Sequence, residues 1–162
     1  MTKFDTLFLD RDGVINKKLK GSYVRSWDEF EFMPKALFAL IELVKKFERI
    51  IIITNQQGIG KGIMSKDDLN VLHQKMTDEI EKAGGKIHKI YFCLHLENDN
   101  CNCRKPKIGM IETAIKDFPS INIKKSYLVG DSFSDIQAGE KAGIESVKVD
   151  NQFTLFDWVN QL

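Results

Sequence analysis

Short apolar runs alternate with helix-spaced apolar positions along nearly the whole chain. Leu7-Phe8-Leu9 is flanked by polar residues and stops at Asp10, as a buried strand does. Pro34 suits a helix start, and Leu37, Leu40, Ile41 and Val44 then follow along one helical face. Ile50 to Ile53, a β-branched run between Arg49 and Thr54, predicts a central strand covered on both sides. Ser65 with Asp68 three positions on resembles a capping box. Leu69, Leu72, Met76 and Ile80 carry the helix it opens, and Gly84-Gly85 stops it. The pattern continues with a strand over 87–92, a helix over 109–118 ended near Pro119, a strand over 127–129, a helix over 134–142, a strand over 146–149 and a closing helix over 155–162. Strands and helices in alternation imply a parallel sheet with helices on both faces, an α/β sandwich of three layers. With no internal repeat, low-complexity tract or linker, residues 1–162 are expected to form one domain.

Composition narrows the partners. A chain of 162 residues, 43% of them hydrophobic, suffices for one substantial core. Its formal net charge of +1 provides no global field to attract nucleic acid or a membrane surface, so any anion must be bound locally. The apolar runs are far too short to cross a bilayer. Met1-Thr2-Lys3-Phe4-Asp5 leads into a strand without a secretory signal. The cysteine count is odd, three at metal-like spacing, which suits a reducing compartment; the cytoplasm is the expected location.

All three cysteines lie between Cys93 and Pro106, with a histidine between the first two. Cys93, His95, Cys101 and Cys103 form a Cys3His set that suits tetrahedral Zn2+. Free cysteines are usually buried among apolar neighbours, whereas these sit among Asn, Asp and Glu. Four protein ligands leave the metal no open position, so the zinc is expected to be structural. It would stabilise loop 93–106 and present Arg104 and Lys105.

Three polar clusters begin where strands stop: Asp10 with Asp12, Thr54-Asn55-Gln56-Gln57, and Gly130-Asp131 with Asp135 close behind. Ligands of open α/β sheets bind outside the carboxyl ends of the strands, so the clusters converge if the first strand lies between the second and fourth. Asp10 and Asp131 can hold Mg2+, which takes one or two carboxylates plus phosphate oxygens and waters. A carboxylate can also attack phosphorus, and a second aspartate two residues on can exchange a proton with the leaving group and with water. Lysine supplies charge to a transferring phosphoryl group. Asp135 can cap a helix, hold Lys105 or reach a metal-bound water. Gly58 to Gly62 fits no phosphate-loop pattern and reads as a flexible turn near substrate. His73 and His88 read as ordinary helix and strand positions.

Leu9-Asp10-Arg11-Asp12-Gly13-Val14-Ile15-Asn16, Ile53 to Ile59, Cys103-Arg104-Lys105-Pro106 and Val129-Gly130-Asp131 resemble, in order, the four motifs of the haloacid dehalogenase superfamily of phosphatases. Within it the chain is similar to the branch of heptose bisphosphate and histidinol-phosphate phosphatases. The resemblance implies a Rossmann-like sheet of order 5-4-1-2-3, no large cap domain, and a Mg2+-dependent phosphomonoesterase passing through an aspartyl-phosphate. It makes Asp10 the nucleophile and Asp12 the general acid/base. Asp10, the Asp12 carbonyl and Asp131 would hold Mg2+, Thr54 and Asn55 the transferring phosphate, and Lys105 its charge. Gln56 and Gln57 would contact substrate, and Arg104 the phosphate that is not cleaved. It also implies a zinc loop with the ligands named above. Ser132 departs from the pattern, since a lysine is common there in the heptose enzymes.

The run from Thr54 to Gly62 and the segment Gly21 to Val24 resemble heptose enzymes, whereas the short gap between His95 and Cys101 resembles histidinol-phosphate phosphatase. The first features would contact substrate and the gap sets only loop length, so the 7-phosphate of D-glycero-D-manno-heptose 1,7-bisphosphate is the expected target. A phospho-accepting signalling module would share the acidic cluster but needs neither Asp12 nor a zinc loop. A zinc module for nucleic acid would need a basic, aromatic surface. A small phosphorylated metabolite is the expected partner, and a monomer the expected state.

Overall fold

The computed structural model describes residues 2–162. Among them, five strands form one parallel sheet of order β3-β2-β1-β4-β5: β1 Phe4–Leu9, β2 Phe47–Asn55, β3 Lys89–Cys93, β4 Tyr127–Gly130 and β5 Glu145–Lys148. This is the expected Rossmann-like order, with β1 between β2 and β4. Period-2 alternation sorts the strand residues between two cores. Leu7, Leu9, Ile50, Ile52 and Val129 pack with Leu40, Leu43, Met76, Ile80 and Trp158. Phe8, Ile51, Ile53 and Leu128 pack on the other face with Ile111, Ala114 and Ala138. The first face therefore carries α1 (Ala36–Lys46), α2 (Lys66–Ala83) and α5 (Leu155–Val159), and the second carries α3 (Gly109–Asp117) and α4 (Phe133–Ala142).

Several boundaries differ from those predicted. The first strand starts at Phe4, because the Phe4 ring packs 5.2 Å from those of Phe47 and Tyr127. Polar Asp5 and Thr6 had masked it; Asp5 pairs with Arg49 at 2.8 Å. The second strand begins at Phe47, directly after α1, since Phe47 is buried in the first core. The third begins at Lys89 and the closing helix ends at Val159.

Ser65 and Asp68 do form a capping box on α2, and Gly84 ends the helix in the left-handed region with φ 107°. The segment between β1 and α1 folds back beside α2: Val24 is buried with Met64, Leu69 and Leu72, next to Trp27 and Phe30. This segment roofs one side of the strand ends without forming a large cap. Among the described residues no helix is long and apolar enough to cross a membrane.

Candidate active site

The loop after β1 is wound tightly around one carbonyl. Arg11 O accepts from the N–H groups of Val14, Ile15 and Asn16 at 3.2, 2.8 and 3.3 Å. Asp10 N–H donates to Val129 O at 3.0 Å, which ties the loop to β4. Gly13 has φ 85°, and a Cβ there would overlap the Asp131 carboxylate, so only glycine lets the two loops close on each other.

Lys105 projects into this closure. Its Nζ lies 2.9 Å from Asp10 Oδ1, 2.6 Å from Asp135 Oδ1 and 2.7 Å from Ile53 O. Burial alone would neutralise the amine, but Asp10 and Asp135 outweigh it and raise its pKa, so the charge is held. Asp10 is pushed well above the usual carboxylate range, first by burial and then, against Lys105, by the carboxylates of Asp135, Asp131 and Asp12. Among the described residues Lys105 is the one buried cation facing Asp10 and Asp135, and only the exposed Lys18 approaches Asp131, which leaves the centre short of positive charge.

Asp12 lies in a separate hydrogen-bond cage. Oδ1 accepts from Arg11 Nη2 at 2.8 Å and Asn16 Nδ2 at 2.9 Å, and Oδ2 accepts from Gln56 Nε2 at 2.9 Å. Burial acts to raise this carboxyl, yet the Arg11 charge and the Asn16 and Gln56 bonds hold it below its usual range. Thr54 is fully buried, its hydroxyl accepting from Gln56 Nε2 at 2.9 Å. Asn55 is committed at both ends of its amide to the Lys105 main chain: Nδ2 donates to Lys105 O and Oδ1 accepts from Lys105 N–H at 3.0 Å.

Ligand atoms of Asp10, Asp131 and Asp135 lie within 4.8 Å of one another. Asp131 Oδ1 is buried with no hydrogen-bond partner among the described residues. An unsatisfied carboxylate oxygen beside a carboxylate-rich centre fits a hard divalent cation. The second cluster fits another metal. Cys93 Sγ lies 3.7 Å from Cys101 Sγ and from His95 Nδ1, and His95 Nδ1 lies 3.3 Å from Cys103 Sγ. Tetrahedral Zn2+ with ordinary bond lengths sets these edges at roughly 3.8 Å for S–S and roughly 3.5 Å for S–N.

The acidic centre opens into a cleft of about 700 Å³. The residues expected from the sequence meet there: Asp10, Asp12, Asn55, Gln56, Gln57, Arg104, Lys105, Asp131 and Asp135 line it, while Thr54 lies behind the wall. Tyr23 and Lys61, within the two segments expected near substrate, also line the cleft, whereas Lys18 was missed; its Nζ comes within 3.5 Å of Asp131 Oδ2. Tyr23 accepts from Gln57 Nε2 at 2.9 Å, with Lys61 Nζ 5.3 Å from its ring centre. Arg11 and His73 are both buried; His73 was read as an ordinary helix position, and Arg11 was not singled out, although an arginine between two aspartates was a usable signal. Ser132 spends its side chain on α4, donating to Asp135 Oδ2 at 2.9 Å in a capping box.

The family model described as polynucleotide kinase 3 phosphatase matches residues 4–157. A D-glycero-alpha-D-manno-heptose-1,7-bisphosphate 7-phosphatase of Mycobacterium bovis is 40% identical over 131 residues, 81% of this chain and 69% of that one. A D-glycero-beta-D-manno-heptose-1,7-bisphosphate 7-phosphatase of Neisseria meningitidis serogroup B is 41% identical over 137 residues, 85% of this chain and 72% of that one. Among solved structures, the D,D-heptose 1,7-bisphosphate phosphatase of B. bronchiseptica, complexed with magnesium and phosphate, superposes with a TM-score of 0.82 at 27% identity, covering 97% of each chain.

Proposed function

The chain belongs to the polynucleotide kinase 3 phosphatase family of haloacid dehalogenase phosphatases, and from that premise we propose that it removes the 7-phosphate of D-glycero-D-manno-heptose 1,7-bisphosphate. The carrying observation is the charge of the cleft. Its acids, Asp10, Asp12, Asp131 and Asp135, all sit at the strand ends, while Lys18, Lys61 and Arg104 line the rest beside Lys105. That lining suits a second phosphate on the substrate. It disfavours the free ammonium of histidinol phosphate, which would meet no outer carboxylate.

In this reading an Asp10 carboxylate oxygen attacks phosphorus and the P–O ester bond breaks. Asp12, which its donors keep ionised in the resting site, takes up a proton from solvent as substrate binds and gives it to the departing alkoxide. It then takes one from the water that opens the aspartyl-phosphate, so phosphate leaves and Asp10 is regenerated. Lys105 holds charge against the phosphoryl oxygens, and Asn55 fixes the lysine's main chain. Thr54 and Gln56 shape the wall, Gln57 with Tyr23 sets the rim, and Arg104 takes the phosphate that stays. Asp10, Asp131 and the Asp12 carbonyl would hold Mg2+, which when bound supplies positive charge to the phosphate oxygens. Cys93, His95, Cys101 and Cys103 would hold a structural Zn2+. We propose a monomer working in the cytoplasm.

The test compares phosphate release, in Mg2+, from the heptose 1,7-bisphosphate of each anomer, histidinol phosphate and p-nitrophenyl phosphate. The highest kcat/KM is expected for a heptose bisphosphate; a tenfold preference for histidinol phosphate would reverse the substrate assignment.

A further inference from the structure

Arg11 is fully buried, yet the chemistry above gives it no task. A buried guanidinium is costly unless paired. Its two amino groups diverge: Nη2 donates to Asp12 Oδ1 at 2.8 Å, and Nη1 meets His73 Nε2 at 3.0 Å. His73 comes from the middle of α2, 62 positions along the chain. That helix is among the best-fixed elements near the site, with a capping box, a glycine stop, and Leu69, Leu72, Met76 and Ile80 buried beneath it. The His73 ring also lies 6.1 Å from that of Phe92 at the end of β3.

We infer that His73 and Arg11 are positioning residues: α2 fixes the imidazole, the imidazole fixes one edge of the guanidinium, and the other edge fixes the Asp12 carboxylate toward the leaving oxygen. The inference rests on the reading of Asp12 as the proton donor. Asn16 and Gln56 alone would leave Asp12 two neutral donors, and nothing charged to hold it apart from the carboxylates of Asp10 and Asp131. A lysine could supply the charge but not the rigid two-edged fork. Burial, and then Arg11, hold the His73 imidazole down to about 3, so it stays neutral and accepts the Arg11 hydrogen bond.

A purely structural role predicts equal losses for every substrate, whereas a role in aiming the acid does not. An alkoxide needs a proton to leave, while p-nitrophenolate leaves without one. The step up to phosphoryl transfer is read by kcat/KM. In His73→Leu, kcat/KM for the heptose bisphosphate is expected to fall about 10- to 100-fold, with p-nitrophenyl phosphate changed by less than about threefold. His73→Gln, which keeps an acceptor, should recover most of the loss, and Arg11→Lys, as a second probe, should share the selectivity of His73→Leu. Asp12→Asn provides the reference. If Asp12→Asn is selective for the sugar phosphate but neither His73→Leu nor Arg11→Lys is, the positioning role is overturned. If Asp12→Asn shows no selectivity, the assignment of Asp12 fails first and this inference goes with it.

Discussion

Lys105 and His73 are two buried bases with opposite electrostatics, and each has a measurable consequence. Lys105 keeps its charge because Asp10 and Asp135 face it. In Lys105→Met those carboxylates lose their buried counter-charge, so activity should fall by at least about 100-fold and stability by about 3 kcal/mol, read by urea unfolding without Mg2+. His73 is neutral in the fold, with its pKa lowered from 6.5 to about 3 by burial and by Arg11. Between those values the unfolded chain binds a proton that the folded chain does not. Its contribution is therefore present above pH 6.5 and is lost as pH falls. Down to pH 5 the loss is about 2 kcal/mol, and the pH 7.5-to-5 drop in urea stability should be smaller by that amount in His73→Gln than in wild type. Equal drops would mean the imidazole takes up its proton within the fold. At this scale the sequence is readable where a residue type announces its chemistry, as with Asp10 or Cys103. His73 could not be read, because its meaning lies in a partner 62 positions away.

The elements were more legible than their ends. Alternating periodicities specify which segments are strands and which are helices, and the order of the sheet followed from matching the motifs to known enzymes. Boundaries depended on tertiary contacts: Phe4 extends β1 because Phe47 and Tyr127 receive it. Loop 93–106 is the opposite case, an element with only a short 3-10 turn at Glu97–Asp99 and an identity written in its three cysteines and His95. Its placement matters because Lys105 is carried at its end, fastened to the core through Asn55. Metal analysis should find one zinc per chain. Removing it, by chelation or by Cys103→Ser, should open the loop to proteolysis and lower kcat by at least about tenfold, since structural zinc supplies folding energy to the segment it binds. Full activity in zinc-free protein would separate the metal from the placement of Lys105.

For the whole molecule, catalysis and stability are assigned to opposite ends of the same strands. The candidate chemistry sits at the carboxyl ends of β1, β2, β3 and β4 and in the loops that leave them, whereas the first core is closed at the far end by α5. Trp158 there packs 6.3 Å from Phe47 and 5.6 Å from Tyr127, ring to ring. The sequence predicts the closing helix over 155–162, but not its burial against residues far earlier in the chain. Trp158→Ala should cost about 3–5 kcal/mol through lost burial and the cavity left behind. In a chain of this size each kcal/mol moves Tm by about 2–4 °C, so Tm should fall by roughly 10 °C. The ring partners of Trp158, Phe47 and Tyr127, sit at the starts of β2 and β4, so kcat and KM at 25 °C should remain within about twofold of wild type. A large loss of kcat in a variant still folded by circular dichroism would show that the two ends of the sheet are mechanically coupled, because packed cores transmit strain. The predicted result instead treats the sheet as a rigid base, on which the loops can change substrate without changing the fold.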